Sequence, residues 1–219
     1  MTNMTNMTNL STQHVSEKAL RLMAWGFALL ILDFKIMNFD IFNDLLGYVL
    51  ILYSLSSLEA ESALFQKVKW ITFILFIESF IRGWIPNINR GLWSQDISLI
   101  SIIYGQVSSL VNLLMIVLLF TSLGQLSIWQ QMSNPPLEKA FLTRRKAFTF
   151  LLVLQQFIYP FIMNLEQEWE VVMTIYAVLY VFFMFLLIRL LFRLAKAYQG
   201  VHQEQEKNAS NMESSDPYL

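Results

Sequence analysis

The 219-residue chain has no cysteine, which excludes disulfides, thiolate metal sites and cysteine nucleophiles. Histidine is almost as scarce. His14 and His202 are the only two, and both lie in polar terminal stretches, so the apolar body of the chain has no imidazole base. No Gly-x-Ser-x-Gly elbow, His-Glu-x-x-His pair or phosphate-binding Gly-Lys-Ser/Thr loop occurs. An aspartyl-type intramembrane site would need acids at depth on two helices, and Glu78 alone lies deep. The chain is therefore not expected to be an enzyme, and neither cofactor nor metal is expected. The net charge of −1 and the scattered basic residues give no groove-binding patch for nucleic acid.

Charge is the next scarcity: 14% of residues are charged and 56% are hydrophobic, with mean hydropathy +0.49. Soluble domains carry about 25% charged residues. Repeated apolar runs decide the class, because about 20 helical residues cross a bilayer's hydrocarbon core. Six spans can be drawn, at 19–36, 45–58, 68–85, 97–123, 148–165 and 171–192. All must be helical to satisfy their backbone groups in lipid. The expected fold is all-α, a six-helix transmembrane bundle in one domain, 19–198. Residues 1–18, with a threefold Met-Thr-Asn repeat, and 199–219 are polar and expected to be disordered. No cleavable signal peptide is expected, since the start lacks a basic n-region.

Twelve of the fifteen Lys and Arg residues fall on one side of this threading. They include Lys18, Arg21, Lys67, Lys69, Arg144, Arg145, Lys146, Arg189, Arg193 and Lys196, against Lys35, Arg82 and Arg90 on the other. The positive-inside rule then predicts a multi-pass protein of the cell membrane with both termini cytoplasmic. Six tryptophans fall near span ends, where an interfacial belt would place them. The one sizeable cytoplasmic loop, 124–147, holds Asn134-Pro135-Pro136, read as a helix breaker. Arg144-Arg145-Lys146 follows, where it would meet anionic headgroups.

The stretch DFKIMNFDIFNDLLGYVL, residues 33–50, concentrates charge between two apolar runs. Helix-end electrostatics is one reading, with Asn43 or Asp44 capping the second helix and Gly47 allowing close approach of a neighbour. The other is a shallow outer polar pocket in which Asp33, Asp40 and Asp44 bind a cation or an amine. Asp33, Asp40, Ile41, Asp44, Gly47 and Tyr48 resemble the Asp-Ile-x-Pro-Asp-x-x-Gly-Tyr pattern at the first hairpin of uncharacterised multi-pass membrane proteins of Gram-positive bacteria. Here Asn43 replaces the usual proline. That resemblance implies a membrane location and no particular activity.

Deeper polar residues complete the inventory. Glu78 falls about 15 Å into the third span at 1.5 Å per residue, with Arg82 one turn beyond. Glu-first at i, i+4 suits an intramembrane charged pair, and ionisable groups at that depth suggest function. The fourth span carries Ser98, Ser101, Tyr104, Gln106, Ser108, Ser109 and Asn112. They could tie helices together, or Gln106 and Asn112 could extend a polar path from Glu78. Pro160 is expected to free the carbonyl of Gln156 in the fifth span. Two function classes follow: a regulatory, assembly or immunity-type partner protein acting through helix–helix contacts, or a small transporter or channel-like protein for a cation or small solute. The expected partners are the lipid bilayer and either another membrane protein or a second copy in a homo-oligomer.

Overall fold

A computed structural model describes residues 2–32, 41–84, 99–131, 135–158 and 169–214. Side chains are described over 14–32, 44–81, 103–131, 135–158, 171–204 (Met173 excepted) and at Lys207. The described residues are all-α, with six long helices and one short one. In chain order these are α1 (Thr2–Ile31), α2 (Ile41–Leu58), α3 (Ala63–Trp84), α4 (Leu99–Leu123), the four-residue α5 (Ile128–Gln131), α6 (Pro135–Ile158) and α7 (Trp169–Ser214). Two stretches, Ile103–Gln131 and Thr174–Glu204, are long and apolar enough to cross a membrane, and Asp44–Leu58 is a shorter apolar helix.

The long helices pack in sequence order, α1 on α2, α2 on α3, α3 on α4, α4 on α6 and α6 on α7, and α7 closes back onto α1. Between α2 and α3 only four residues intervene, and consecutive helices with so short a connection lie side by side. The α1–α2 seam depends on two glycines. A methyl group at Gly26 would come within 2.7 Å of Ile51 Cγ1 and 2.8 Å of the Gly47 carbonyl oxygen. One at Gly47 would meet the Gly26 carbonyl oxygen at 2.9 Å. The expectation that Gly47 brings its neighbour close therefore holds, and Gly26 is the partner that completes it.

Fully buried side chains cluster in the half of the bundle nearest the turns at 59–62 and 124–127. They include Leu20, Met23, Phe27, Ile51, Leu55, Phe65, Ile116, Leu119, Phe120, Phe148, Leu190 and Leu194. Phe120 and Phe148 lie edge-to-face at 6.2 Å, and Phe148 stacks on Phe183 at 5.8 Å, joining α4, α6 and α7. Hydroxyls in the helices bond back to their own carbonyls. Ser54 donates to Leu50 O, Thr72 to Val68 O and Ser122 to Leu118 O, which satisfies them in apolar surroundings. Ser62 Oγ caps α3, accepting from Leu64 N at 3.2 Å.

Three expectations meet a different arrangement. Residues 124–147 are not a loop, since α5 and the first half of α6 fill them. Pro135 opens α6 and Pro136 follows it, where a missing backbone N–H costs no helical bond. Leu137, Phe141 and Phe148, at i, i+4 and i+11, then bury one face of α6. Secondly, α2 begins at Ile41, so Asp44 lies within the first turn instead of capping it, still favourably placed near the positive helix end. Thirdly, α1 starts at Thr2 and α7 runs to Ser214, where a polar leader and tail are expected to be disordered. Contacts such as Arg21 Nη2 to Gln199 Oε1 at 3.1 Å tie the two helices together at that end.

Candidate functional site

Two groups of polar side chains stand out, one in the middle of the helices and one at the turns. The first is built on α4. Tyr104 and Ser108, one turn apart, both donate to Glu78 Oε1 on α3, at 3.0 and 2.6 Å. Gln106 faces α6 and donates to Gln156 through both its side-chain oxygen (2.8 Å) and its backbone carbonyl (3.3 Å). Gln156 Nε2 in turn donates to Ser109 at 2.7 Å. Asn112 faces α7 and donates to the Tyr180 hydroxyl at 3.3 Å. A turn earlier on α7, Tyr176 donates to Gln155 at 2.5 Å. These contacts form a belt linking α3, α4, α6 and α7. The Gln156 carbonyl accepts this side-chain bond; Pro160, expected to free that carbonyl, lies outside the described residues.

The sequence-predicted residues fare unequally. Glu78, read in sequence as one half of a pair with Arg82, accepts from Tyr104 and Ser108 of the fourth helix. Gln106 and Asn112 bond instead to α6 and α7, so the polar residues of α4 radiate toward three neighbours. The Arg82 side chain, Asp33 and Asp40 lie outside the described residues. Asp44 is half-buried and sits within electrostatic range of the Tyr180 hydroxyl. Among the described residues no cluster of His, Asp and Glu has the makings of a metal site.

The second group, which sequence reasoning missed, centres on Glu61 in the α2–α3 turn. Glu61 Oε1 accepts from Ser16 Oγ on α1 at 2.8 Å and from the Tyr198 hydroxyl on α7 at 3.3 Å. Its Oε2 accepts from the backbone N–H of Ser127, just before α5, at 3.3 Å. Ser62 beside it donates to Gln125 at 2.6 Å. Ser16 and Tyr198 are each 1% exposed. Burial, chiefly, raises the Tyr198 phenol above the ordinary tyrosine range, which keeps it a neutral donor to the carboxylate. Flanking ion pairs join Glu17 to Arg21 at 2.9 Å and Glu59 to Lys69. One carboxylate thus clasps segments 45, 66 and 137 residues away. The only sequence signal was an acid pair, Glu59 and Glu61, in a four-residue turn.

Trp129 gives a smaller correction of the same kind. It belongs to the expected interfacial belt, but its indole donates to the Leu123 carbonyl at the end of α4, at 2.7 Å, and its ring packs 5.2 Å from that of Phe141. Trp25 and Trp70 are 58% and 62% exposed, the exposure that a belt requires. Comparison of the chain with family models, curated proteins and solved structures gives no match.

Proposed function

We propose that the chain is a multi-pass integral protein of the cell membrane, with six spans and both termini cytoplasmic. It acts without a catalytic site, as a regulatory, assembly or immunity-type partner of another membrane protein or of its own copies. Support for the membrane part comes from the outward faces. Ile103, Val107, Leu110 and Leu114 form an exposed stripe on α4, at i, i+4, i+7 and i+11. Val171, Ile175, Val178, Phe182 and Phe185 do the same on α7, and Trp70, Ile74, Ile77 and Ile81 on α3. Contiguous apolar faces of this kind are rare on water-soluble monomers and suit lipid or another apolar helix.

The partner role rests on one observation above all. The polar residues of α4 bond to α3, α6 and α7 separately, so they serve as interhelical ties and leave the outward apolar faces as the surface available for recognition. Photo-crosslinkers at Val107, Val178 and Phe182 test this in cells. Discrete adducts with one membrane protein, or with a second copy, are the expected result. Adducts with lipid alone at all three positions would refute it. The transporter reading keeps one supporting observation, the Glu78 carboxylate held by two hydroxyls within the belt. It requires Glu78-dependent cation or solute flux in liposomes, and the partner reading expects none.

A further inference from the structure

The basic residues at the cytoplasmic end of α6 and α7 are more organised than a topology signal needs. On α7, Arg189, Arg193 and Lys196 recur at i, i+4 and i+7, and so share one face. Phe185 and Phe192 flank them on that face, and the five side chains, with Leu186 and Ile188, line an open groove of about 510 Å3 along α7. Arg144 reaches across from α6, donating from Nη1 to the Leu186 carbonyl at 3.1 Å. Burial, and then the Arg193 and Arg189 guanidiniums, lower Arg144 from the usual arginine range, so the three arginines sit close enough to repel one another. Among the described residues no carboxylate pairs with any of these four cations. Two cations near the α1 and α3 ends are paired, Arg21 with Glu17 and Lys69 with Glu59.

Depth and lining agree with the charge. Arg189 lies 20 residues beyond Trp169, about 30 Å along a helix, the thickness of a hydrocarbon core. Phe192 packs edge-to-face on the exposed Trp25 at 5.8 Å, an aromatic pair typical of the boundary between hydrocarbon and headgroups. The groove is thus apolar toward the membrane and cationic at its end. Arginine forks match phosphate oxygens in planar, two-pronged geometry.

We propose that this groove along α7, with Arg144 of α6 beside it, is a binding site for an anionic phospholipid of the inner leaflet. Its phosphate sits between Arg144, Arg189 and Arg193, with Lys196 at the outer edge, and an acyl chain lies along Phe192 and Phe185. The inference rests on the membrane reading above, and supplies that reading with a specific lipid class.

The test uses the full chain, purified in detergent with phosphatidylcholine present, and measures phosphatidylglycerol binding by native mass spectrometry and by shift of the thermal midpoint. Phosphatidylglycerol is expected to stay bound where phosphatidylcholine is stripped, and to raise the midpoint. Inorganic phosphate at equal concentration is expected to do neither. At about 1 kcal/mol per basic residue, the R144Q/R193Q double variant should weaken phosphatidylglycerol binding about thirtyfold. R189Q/K196Q, which alters exposed side chains only, should weaken it comparably and guards against a folding defect in the first variant. A K18Q/K67Q variant, altering two exposed cations elsewhere on the same end, should bind like the parent. Unchanged binding by R189Q/K196Q, equal retention of phosphatidylcholine, or equal protection by inorganic phosphate would each overturn the site. So would a lipid-free dimer that dissociates in R189Q/K196Q, which would assign the groove to a second copy. Release of the protein from membranes by alkaline carbonate would instead overturn the membrane reading, whereas retention in the pellet without lipid selectivity overturns this inference alone.

Discussion

Removing the Glu61 carboxylate is the most informative single change at the turn end of the bundle. Hydrogen bonds to ionised acceptors contribute about 1.5–3 kcal/mol each where buried. The bond from Ser16 at 2.8 Å is short and its donor is inaccessible, whereas those from Tyr198 and Ser127 N are 3.3 Å long. Glu61 is itself partly exposed. Discounting the two long bonds for distance and solvent screening, Glu61→Ala should cost about 2–4 kcal/mol. Glu61→Gln keeps a neutral acceptor and should cost about half as much. The assay is reversible unfolding in mixed micelles, with Ser16→Ala and the double variant completing a thermodynamic cycle. Glu61 and Ser16 should couple by about 1–2 kcal/mol, well above the additivity expected of separate sites. Additive effects would show that the clasp does not join α1 to the α2–α3 turn, and a harmless Glu61→Ala would remove it altogether.

Single cysteines introduced at Asn89 and Gln167 should react with an impermeant maleimide in intact cells, and those at Ser133 and Ser210 should not; labelling at Ser210 without permeabilisation overturns the orientation. Gly26→Ala should destabilise by about 1–3 kcal/mol through forced separation of α1 and α2, read as a lowered thermal midpoint. By contrast Gly200→Ala, in open space on α7, should be neutral or stabilise by up to about 1 kcal/mol. Should both glycine changes behave alike, the α1–α2 seam is not close-packed. Gln156→Leu should lower the midpoint because it removes the acceptor of Gln106 and the donor to Ser109 at once, while Gln155→Leu loses only the Tyr176 bond; equal costs would dissolve the belt's hierarchy.

The apolar runs made six helices legible, since their length and hydropathy leave the backbone few alternatives, and the structure has a long helix at each one. What periodicity did not reveal was which polar residue meets which neighbour. Glu78 reads in sequence as the first half of a local pair with Arg82, because helical spacing is visible along one chain segment. Its bonds to Tyr104 and Ser108 depend on how α3 and α4 rotate against each other, which is a property of packing. Glu61 was harder still. Its three donors are dispersed over residues 16, 127 and 198, and an acid in a short polar turn looks like ordinary solvated surface. Pro135 and Pro136 show that one residue type can signal opposite boundaries, ending a helix from within or opening it from the first turn. Only the amphipathic face of Leu137, Phe141 and Phe148 distinguishes the two cases.

On the proposed membrane reading, the exposed stripes and the polar belt have a common origin. In water, each large apolar side chain left uncovered forgoes about 1.5–3 kcal/mol of burial, and the stripes on α3, α4 and α7 together would oppose folding by a sum that a marginally stable protein could not sustain. In hydrocarbon that penalty vanishes, because lipid tails are as apolar as the side chains that face them. The driving force for helix association falls with it, leaving close packing and interhelical hydrogen bonds to hold the bundle. Gly26 and Gly47 supply the close packing where α1 meets α2. Tyr104, Gln106, Ser108, Ser109 and Asn112 supply the bonds where α4 meets its three neighbours. On the membrane reading, the inverted surface and the polar interior are one adaptation to a single solvent, and the proposed partner role would use the part of the apolar surface that these internal ties leave free.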